Sequence, residues 1–218
     1  MAKTLTEDVY EKLRDDIICL RMAPGEKVSE AKLAERFCVS RAPIRSVIER
    51  LRAEDLVIVK PQIGTIISPI SLARALEVLE VRRLLEPAAA EMAAARISDG
   101  DIAELRRQID RLADAGLSPE AEAAANTEVD GFIHELVWRN CGNAEIRGIL
   151  IGYRGIINRI QHASVSSQAR LSPSRAELAA ITDALANRDP AGARLAMSEH
   201  LANVARSIRG LEMEGADA

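Results

Sequence analysis

Apolar residues along the first 70 positions follow two different rhythms. Val9, Leu13, Ile17 and Leu20 recur every three or four residues, which places them on one face and predicts a helix from Thr6 to Leu20. Met22-Ala23-Pro24-Gly25 ends it in a turn. Ser29 is placed to cap a short second helix, Glu30 to Phe37, with Leu33 and Phe37 on its inner face. Cys38-Val39 makes a tight connector and Ser40 a second cap. Ile44, Val47, Ile48 and Leu51 then give the inward stripe of a third helix, Arg41 to Glu54. Pro43 lies in its first turn, where a missing N–H costs little. The rhythm then changes. Leu56-Val57-Ile58-Val59 and Thr65-Ile66-Ile67-Ser68 are short β-branched runs around Pro61-Gln62-Ile63-Gly64, the pattern of a hairpin.

Helix, helix, turn, helix, hairpin is the order of a winged helix-turn-helix, here assigned to residues 1–70. Beyond Pro69-Ile70-Ser71 the spacing is helical throughout. It predicts helices over 71–96, 99–115, 118–140, 143–161, 173–186 and 190–209, with breaks at Ser98-Asp99-Gly100, Gly116 to Pro119, Cys141-Gly142-Asn143, Ser172-Pro173 and Arg188-Asp189-Pro190. The expected fold is therefore mainly α. A three-helix winged domain with a β-hairpin precedes an all-helical bundle over 71–212, and 213–218 form a tail.

Composition supports the helical reading. Aromatic residues are 2% of the chain while hydrophobic ones are 48%, so the core is built from Ala, Leu and Ile, which suits packed helices better than a β-sandwich. Net charge is -4, but it is uneven: between Lys32 and Lys60 there are 7 basic residues against 4 acidic. The third helix thus lies in a locally basic stretch, which is what counts for a polyanionic partner. No apolar run reaches about 18 residues, so no membrane span is expected. The N-terminus has early acidic residues and no apolar segment, unlike a secretory signal. Cys19, Cys38 and Cys141 form no CxxC, and a reduced, cytoplasmic location is expected.

On the third helix, Arg41, Arg45 and Arg52 flank the inward stripe, and Ala42 and Ser46 occupy the more open side. Arginine forks onto a guanine edge or a phosphate, and small residues let a helix approach a groove closely. The N-terminal end of this helix, with the Ser40 hydroxyl, suits a phosphate. Gly64 brings backbone near a minor groove. By themselves, arginines at this spacing are more often a solvated face on an ordinary helix; the short preceding helix, the tight turn and the following hairpin favour the DNA reading.

The segment Leu33-Ala34-Glu35-Arg36-Phe37-Cys38-Val39-Ser40-Arg41-Ala42-Pro43-Ile44-Arg45, followed by Ile48, Leu51 and Asp55-Leu56-Val57, closely resembles the GntR family of regulators. That resemblance implies a double-stranded operator as partner, Arg41 and Arg45 as direct DNA contacts and Ser40 as a phosphate contact. Three positions depart from the family pattern. Ala31 stands where a basic residue is common. Ile63 precedes Gly64 where the wing tip usually carries a cation. Asp55 replaces a glycine in a position of left-handed geometry. DNA binding is therefore expected to lean on the third helix rather than on the wing.

Farther on, Glu80-Val81-Arg82-Arg83-Leu84-Leu85-Glu86-Pro87, Asp130-Gly131-Phe132-Ile133-His134, Cys141-Gly142-Asn143 and Ala196-Met197-Ser198-Glu199-His200-Leu201 resemble the FCD effector domain of the FadR-like branch. The resemblance implies a homodimer that senses a small organic acid in a pocket where one Asp and three His hold a divalent metal of the zinc, nickel or manganese type. Asp130 and His134 are one turn apart and flank the stripe Val129, Ile133, Leu136, Val137; His200 lies beside Met197, Leu201, Val204 and Ile208. Such a set suits a first-row metal, and equally a buried hydrogen-bonded cluster. The family's remaining histidine falls on Leu178, which brings no ligand. Arg82 is implied as a holder of the effector carboxylate, with a surface ion pair to Glu86 as the alternative. Asn143 is expected to cap a helix, and Trp138 and Tyr153 to lie in the core or an interface.

The expected function is regulation of transcription by effector-modulated DNA binding. Two alternatives stand beside it: a helical metalloenzyme using Asp130, His134 and His200, and a DNA-binding protein without effector. The chain carries no nucleophile–base pair, phosphate loop or cofactor fingerprint, so no enzymatic activity is expected.

Overall fold

The computed structural model describes residues 4–112, 118–164 and 171–216. Among these there are nine helices and one two-stranded sheet, in two compact units. The first comprises the described residues up to Ser71 together with Gly152–Ala163; the second comprises Leu72–Ile151 and the described residues from Ser164 onward. No helix among the described residues is long and apolar enough to cross a membrane.

In the first unit, α1 (Leu5–Ile18) is capped by Thr4, whose hydroxyl accepts from the Glu7 N–H at 3.2 Å. It stops at Ile18 rather than Leu20 because Leu20 takes a left-handed conformation, φ 57°. Ser29 caps α2 (Glu30–Arg36), and Cys38, at φ 53°, turns the chain into α3 (Arg41–Ala53). After α3, Asp55 sits at φ 56°, the left-handed position that the sequence marks as awkward for an aspartate. Strands β1 (Val57–Lys60) and β2 (Gly64–Ile67) pair antiparallel from Val57↔Ile67 to Lys60↔Gly64. The strands expected at 56–59 and 65–68 are thus displaced by one residue, and Leu56 and Ser68 instead close the ladder through a Ser68 N–H to Leu56 carbonyl bond of 3.0 Å.

The core of this unit joins Val9, Leu13 and Ile17 of α1, Leu33 of α2, Ile44, Val47, Ile48 and Leu51 of α3, and Leu56 and Ile67 of the hairpin. Packing of one face of each helix, rather than helix propensity, fixes α3 against its neighbours and leaves its opposite face in solvent. The distal half of α7 (Ala144–Ser164) also belongs here. Its Gly155 abuts Leu56, and the buried Arg159 guanidinium donates to the Ser68 carbonyl.

The second unit holds α4 (Leu72–Ala94), α5 (Asp99–Leu112), α6 (Pro119–Asn140), the start of α7, α8 (Leu171–Ala186) and α9 (Pro190–Ala216). α9 packs along α4 and α8. Small buried residues such as Ala89, Ala90, Ala93 and Ala193 let the backbones come close, which is how a core with so few aromatics is filled. Asn143 caps α7: its Oδ1 accepts from the N–H groups of Glu145 and Ile146 at 3.0 and 3.1 Å.

Two boundaries depart from the sequence expectation. No break falls at Ser172-Pro173, because α8 begins at Leu171 and Pro173 lies in the first turn, where its missing N–H has no helical acceptor. α9 continues to Ala216, through most of the expected tail. The expected end of the 99–115 helix falls partly outside the described residues, as do Gly116 and Leu117 of the expected break, while Ser118 caps α6 and Pro119 opens it.

Candidate functional site

Two sites emerge, one in each unit. In the first, α3 presents Arg41, Ala42, Arg45 and Ser46 to solvent while Ile44, Val47, Ile48 and Leu51 are buried. Ser40 is the N-cap residue, yet its side chain makes no capping bond, so the hydroxyl and the first N–H groups of α3 remain for a ligand. Arg41 makes no ion pair with a described residue. Arg45 pairs through Nε with Glu30 of α2 at 2.9 Å, and Arg52 pairs with Glu49 one turn away at 2.7 Å. Both pairs are largely exposed, and such pairs are held by about 1 kcal/mol or less, so a phosphate or a base edge can replace the carboxylates. Gly64 opens β2 at φ 97°, and a Cβ at this position would meet nothing within 4 Å, so the wing tip is bare backbone. Ile63 beside it is exposed and apolar.

The second site is interior. Asp130 and His134 lie one turn apart on α6, and α9 brings His200 against them; all three are buried. Nε2 of His200 is 3.2 Å from Asp130 Oδ1 and 3.3 Å from Nε2 of His134, which is itself 3.8 Å from Asp130 Oδ1. Three donor atoms thus converge on one point, with spacings of the size expected between ligands of a single first-row ion held at about 2.0–2.2 Å.

The opposite nitrogens are occupied. Nδ1 of His200 meets Glu177 Oε2 at 2.9 Å, and Asn203 steadies that carboxylate with an N–H bond of 2.6 Å to Oε1. Nδ1 of His134 lies 2.5 Å from Glu86 Oε2, off the line of a directed hydrogen bond. Carboxylates behind both imidazoles fix which nitrogen faces the donor cluster.

The surrounding charges set the protonation. Burial alone would push the Glu86 carboxyl up, but the Arg82 guanidinium and His134 overcome it and hold it at about 2. Burial would likewise push the His200 imidazole down, but its bonds to Asp130 and Glu177 raise it to about 9.

Arg82 pairs with Glu86, as one sequence reading expects, but the pair is buried rather than on the surface, with side chains 2% and 0% exposed. Leu178 is fully buried on α8 next to Glu177. Trp138 is buried with its ring centroid 6.2 Å from that of His134, and Tyr153 is half-buried. Sequence reasoning missed Glu86 and Glu177 as partners of the histidines, and Glu30 and Glu49 as partners of the arginines. For Glu86 the Arg82 spacing was a signal; for Glu177 and Glu30 nothing local pointed to helices so far away in sequence.

Two family models match the chain. Residues 5–67 match the model for bacterial regulatory proteins of the gntR family, and residues 77–203 match the FCD domain. The chain is 25% identical over 213 residues to the HTH-type transcriptional repressor RspR of Escherichia coli (strain K12), covering 98% of this chain and 92% of that protein. It is 24% identical over 230 residues to the galactonate operon transcriptional repressor of the same organism, covering 96% and 99%. In fold it is similar to E. coli McbR/YncC, with a TM-score of 0.80 at 20% identity over 96% of this chain and 100% of that one. The Asp130–His134–His200 cluster is accordingly part of a regulator and not of a metalloenzyme. With one family model on the exposed arginine helix and another on the histidine cluster, the chain belongs to the GntR family of DNA-binding transcription regulators, in its FCD-domain form.

Proposed function

We propose that the chain acts as a homodimer on a two-fold operator and that a small organic acid bound in its helical unit alters that binding. Ser40, Arg41, Arg45, Ser46, Arg52 and Gly64 form the DNA surface: Arg45 reads a base edge, Arg41 and Ser40 hold phosphates, and Gly64 brings the wing backbone to the minor groove. Arg82, Asp130, His134 and His200 form the effector site. The observation that carries this reading is the convergence of Asp130 Oδ1 and two Nε2 atoms, each imidazole backed by its own carboxylate.

That donor set fits a divalent ion of the zinc, nickel or manganese type, held by Asp130, His134 and His200. Such an ion would supply a Lewis-acid anchor for a carboxylate. Arg82 is already neutralised by Glu86, so its part is to hold that acid behind His134, and it takes an effector carboxylate only by exchanging Glu86 for it. An effector changes operator affinity only by binding the competent and incompetent arrangements differently.

The test is a melt of the protein with zinc or chelator, followed by operator binding across a panel of small mono-, di- and hydroxycarboxylates. Zinc raises the midpoint and at least one acid shifts DNA affinity, both effects being lost in His134→Gln and His200→Gln. If neither metal nor acid changes melting or binding, the chain is an effector-free DNA binder, the reading that Leu178 favours.

A further inference from the structure

We propose that Glu30 is a positioning residue for DNA recognition, holding Arg45 by one edge so that the other edge reads a base. The inference rests on the reading above, in which α3 enters the major groove, and adds to it a residue from a different helix.

Glu30 opens α2, and its Oε2 accepts from Arg45 Nε at 2.9 Å. The side chains are 37% and 67% exposed, so the pair lies on the surface, outside the core. Pairs of this kind contribute little to folding stability. An acid on a face meant for DNA also repels phosphate. Its presence there therefore needs a reason in recognition rather than in folding.

The guanidinium geometry supplies one. Its donors lie in one rigid plane, with Nε–H on the side and two Nη groups at the tip. Glu30 engages only Nε, which leaves the two Nη groups as an outward fork matching the O6 and N7 acceptors of guanine. A side chain already held loses less rotamer freedom when it binds. The carboxylate also offsets the charge that would otherwise draw Arg45 to any phosphate.

The neighbouring arginines differ. Arg41, at the start of the same exposed face, has no ion-pair partner among the described residues and is suited to phosphate. Arg52 bonds Glu49 through both Nε and Nη2, at 3.1 and 2.7 Å, which uses one of its own forks. Of the three, Arg45 alone is held from another helix with its tip free.

Duplexes selected by the full-length protein from a random library provide the probe, and a shuffled duplex provides the reference. Binding to both is measured by anisotropy between about 50 and about 200 mM salt. Glu30→Gln keeps the shape of the side chain and leaves the melting temperature unchanged. It is expected to lower the preference for the selected duplex about tenfold. It should also steepen the dependence of log K on log salt for the shuffled duplex by about 0.9, one extra phosphate contact. Because Glu30 acts through Arg45, the substitution should change neither quantity in an Arg45→Ala background.

Unchanged preference and slope in Glu30→Gln, with preference lost in Arg45→Ala, would overturn the role of Glu30 and leave the α3 reading standing. Persistence of the Glu30→Gln effect in the Arg45→Ala background would also overturn it. Preference retained in Arg45→Ala would overturn both readings.

Discussion

Replacing Glu86 by glutamine removes one negative charge from a site where Arg82 and His134 both depend on it. The side chain is fully buried, so solvent cannot take the place of the lost charge. A carboxyl held at about 2 against an ordinary 4.5 corresponds to about 3 kcal/mol of stability at neutral pH. An independent route gives a similar figure, since stripping one partner from a buried ion pair costs about 3–5 kcal/mol. At about 3 °C per kcal/mol for a unit of this size, Glu86→Gln should lower the melting midpoint by about 10 °C. The one tryptophan of the chain, Trp138, is buried beside His134, so its fluorescence reports this unit selectively. Arg82→Met should cost a similar amount, whereas Arg82→Met with Glu86→Leu should cost less than either, because no unpaired charge is left behind. The folded carboxyl lies below its unfolded value, so its contribution is present above about pH 4.5 and fades as pH falls towards 2. The gap between wild type and Glu86→Gln should close over that window. A Glu86→Gln midpoint within about 2 °C of wild type, or a double variant that loses the sum of the singles, would refute the reasoning.

Two further outcomes follow from the geometry. His200 titrates at about 9, above its ordinary 6.5, so its contribution to the metal-free protein is complete below about pH 6.5 and is lost as pH rises through about 9. The Trp138 midpoint should fall across that range, His200→Gln should flatten the fall, and zinc, which must expel the proton, should bind more tightly as pH rises; a flat wild-type profile counts against this. On α7, a Cβ at Gly155 would stand 2.8 Å from Cδ2 of the fully buried Leu56, whereas Gly148 has nothing within 4 Å. Gly155→Ala should therefore destabilise the first unit by about 1–3 kcal/mol through overpacking. Gly148→Ala should be neutral or stabilising by about 0.5–1 kcal/mol. Hydrogen exchange in α3 separates the two, and equal protection in both variants would contradict the close packing at Gly155.

What was legible in the sequence was what repeats locally. The stripe Ile44, Val47, Ile48 and Leu51 identified both the buried face of α3 and, by subtraction, the face left in solvent. Asp130 and His134 were readable as a pair because one helical turn separates them. Element ends were less legible: Leu20 and Cys38 adopt left-handed backbone at helix ends without being glycine. The partners that come from other helices were not legible. Glu177 reaches His200 from another helix, and Glu30 reaches Arg45 from another, so only tertiary packing brings them together. Arg82 and Glu86 show the opposite case. Their spacing announces an ion pair, but the same spacing occurs on exposed helix faces, and only the helices packed over it make it a buried one.

The burial of that pair bears on why the site exists. The helical unit is otherwise filled mostly by Ala, Leu, Ile and Val, and residues of that kind in place of Arg82, Glu86, Asp130, His134 and His200 would pack without any desolvation cost. Five polar or charged side chains in one buried cluster are thus poorly explained as a stabilising device. The orientation within the cluster argues the same way. If the histidines served only to satisfy each other, nothing would require both Nδ1 atoms to face carboxylates while both Nε2 atoms face Asp130. Two imidazoles turned the same way around one carboxylate oxygen bring three donor atoms to one point inside an apolar bundle, and a divalent cation placed there would take over from the proton that His200 carries. That is the arrangement the proposed metal site requires, a donor set held in place by the carboxylates behind it.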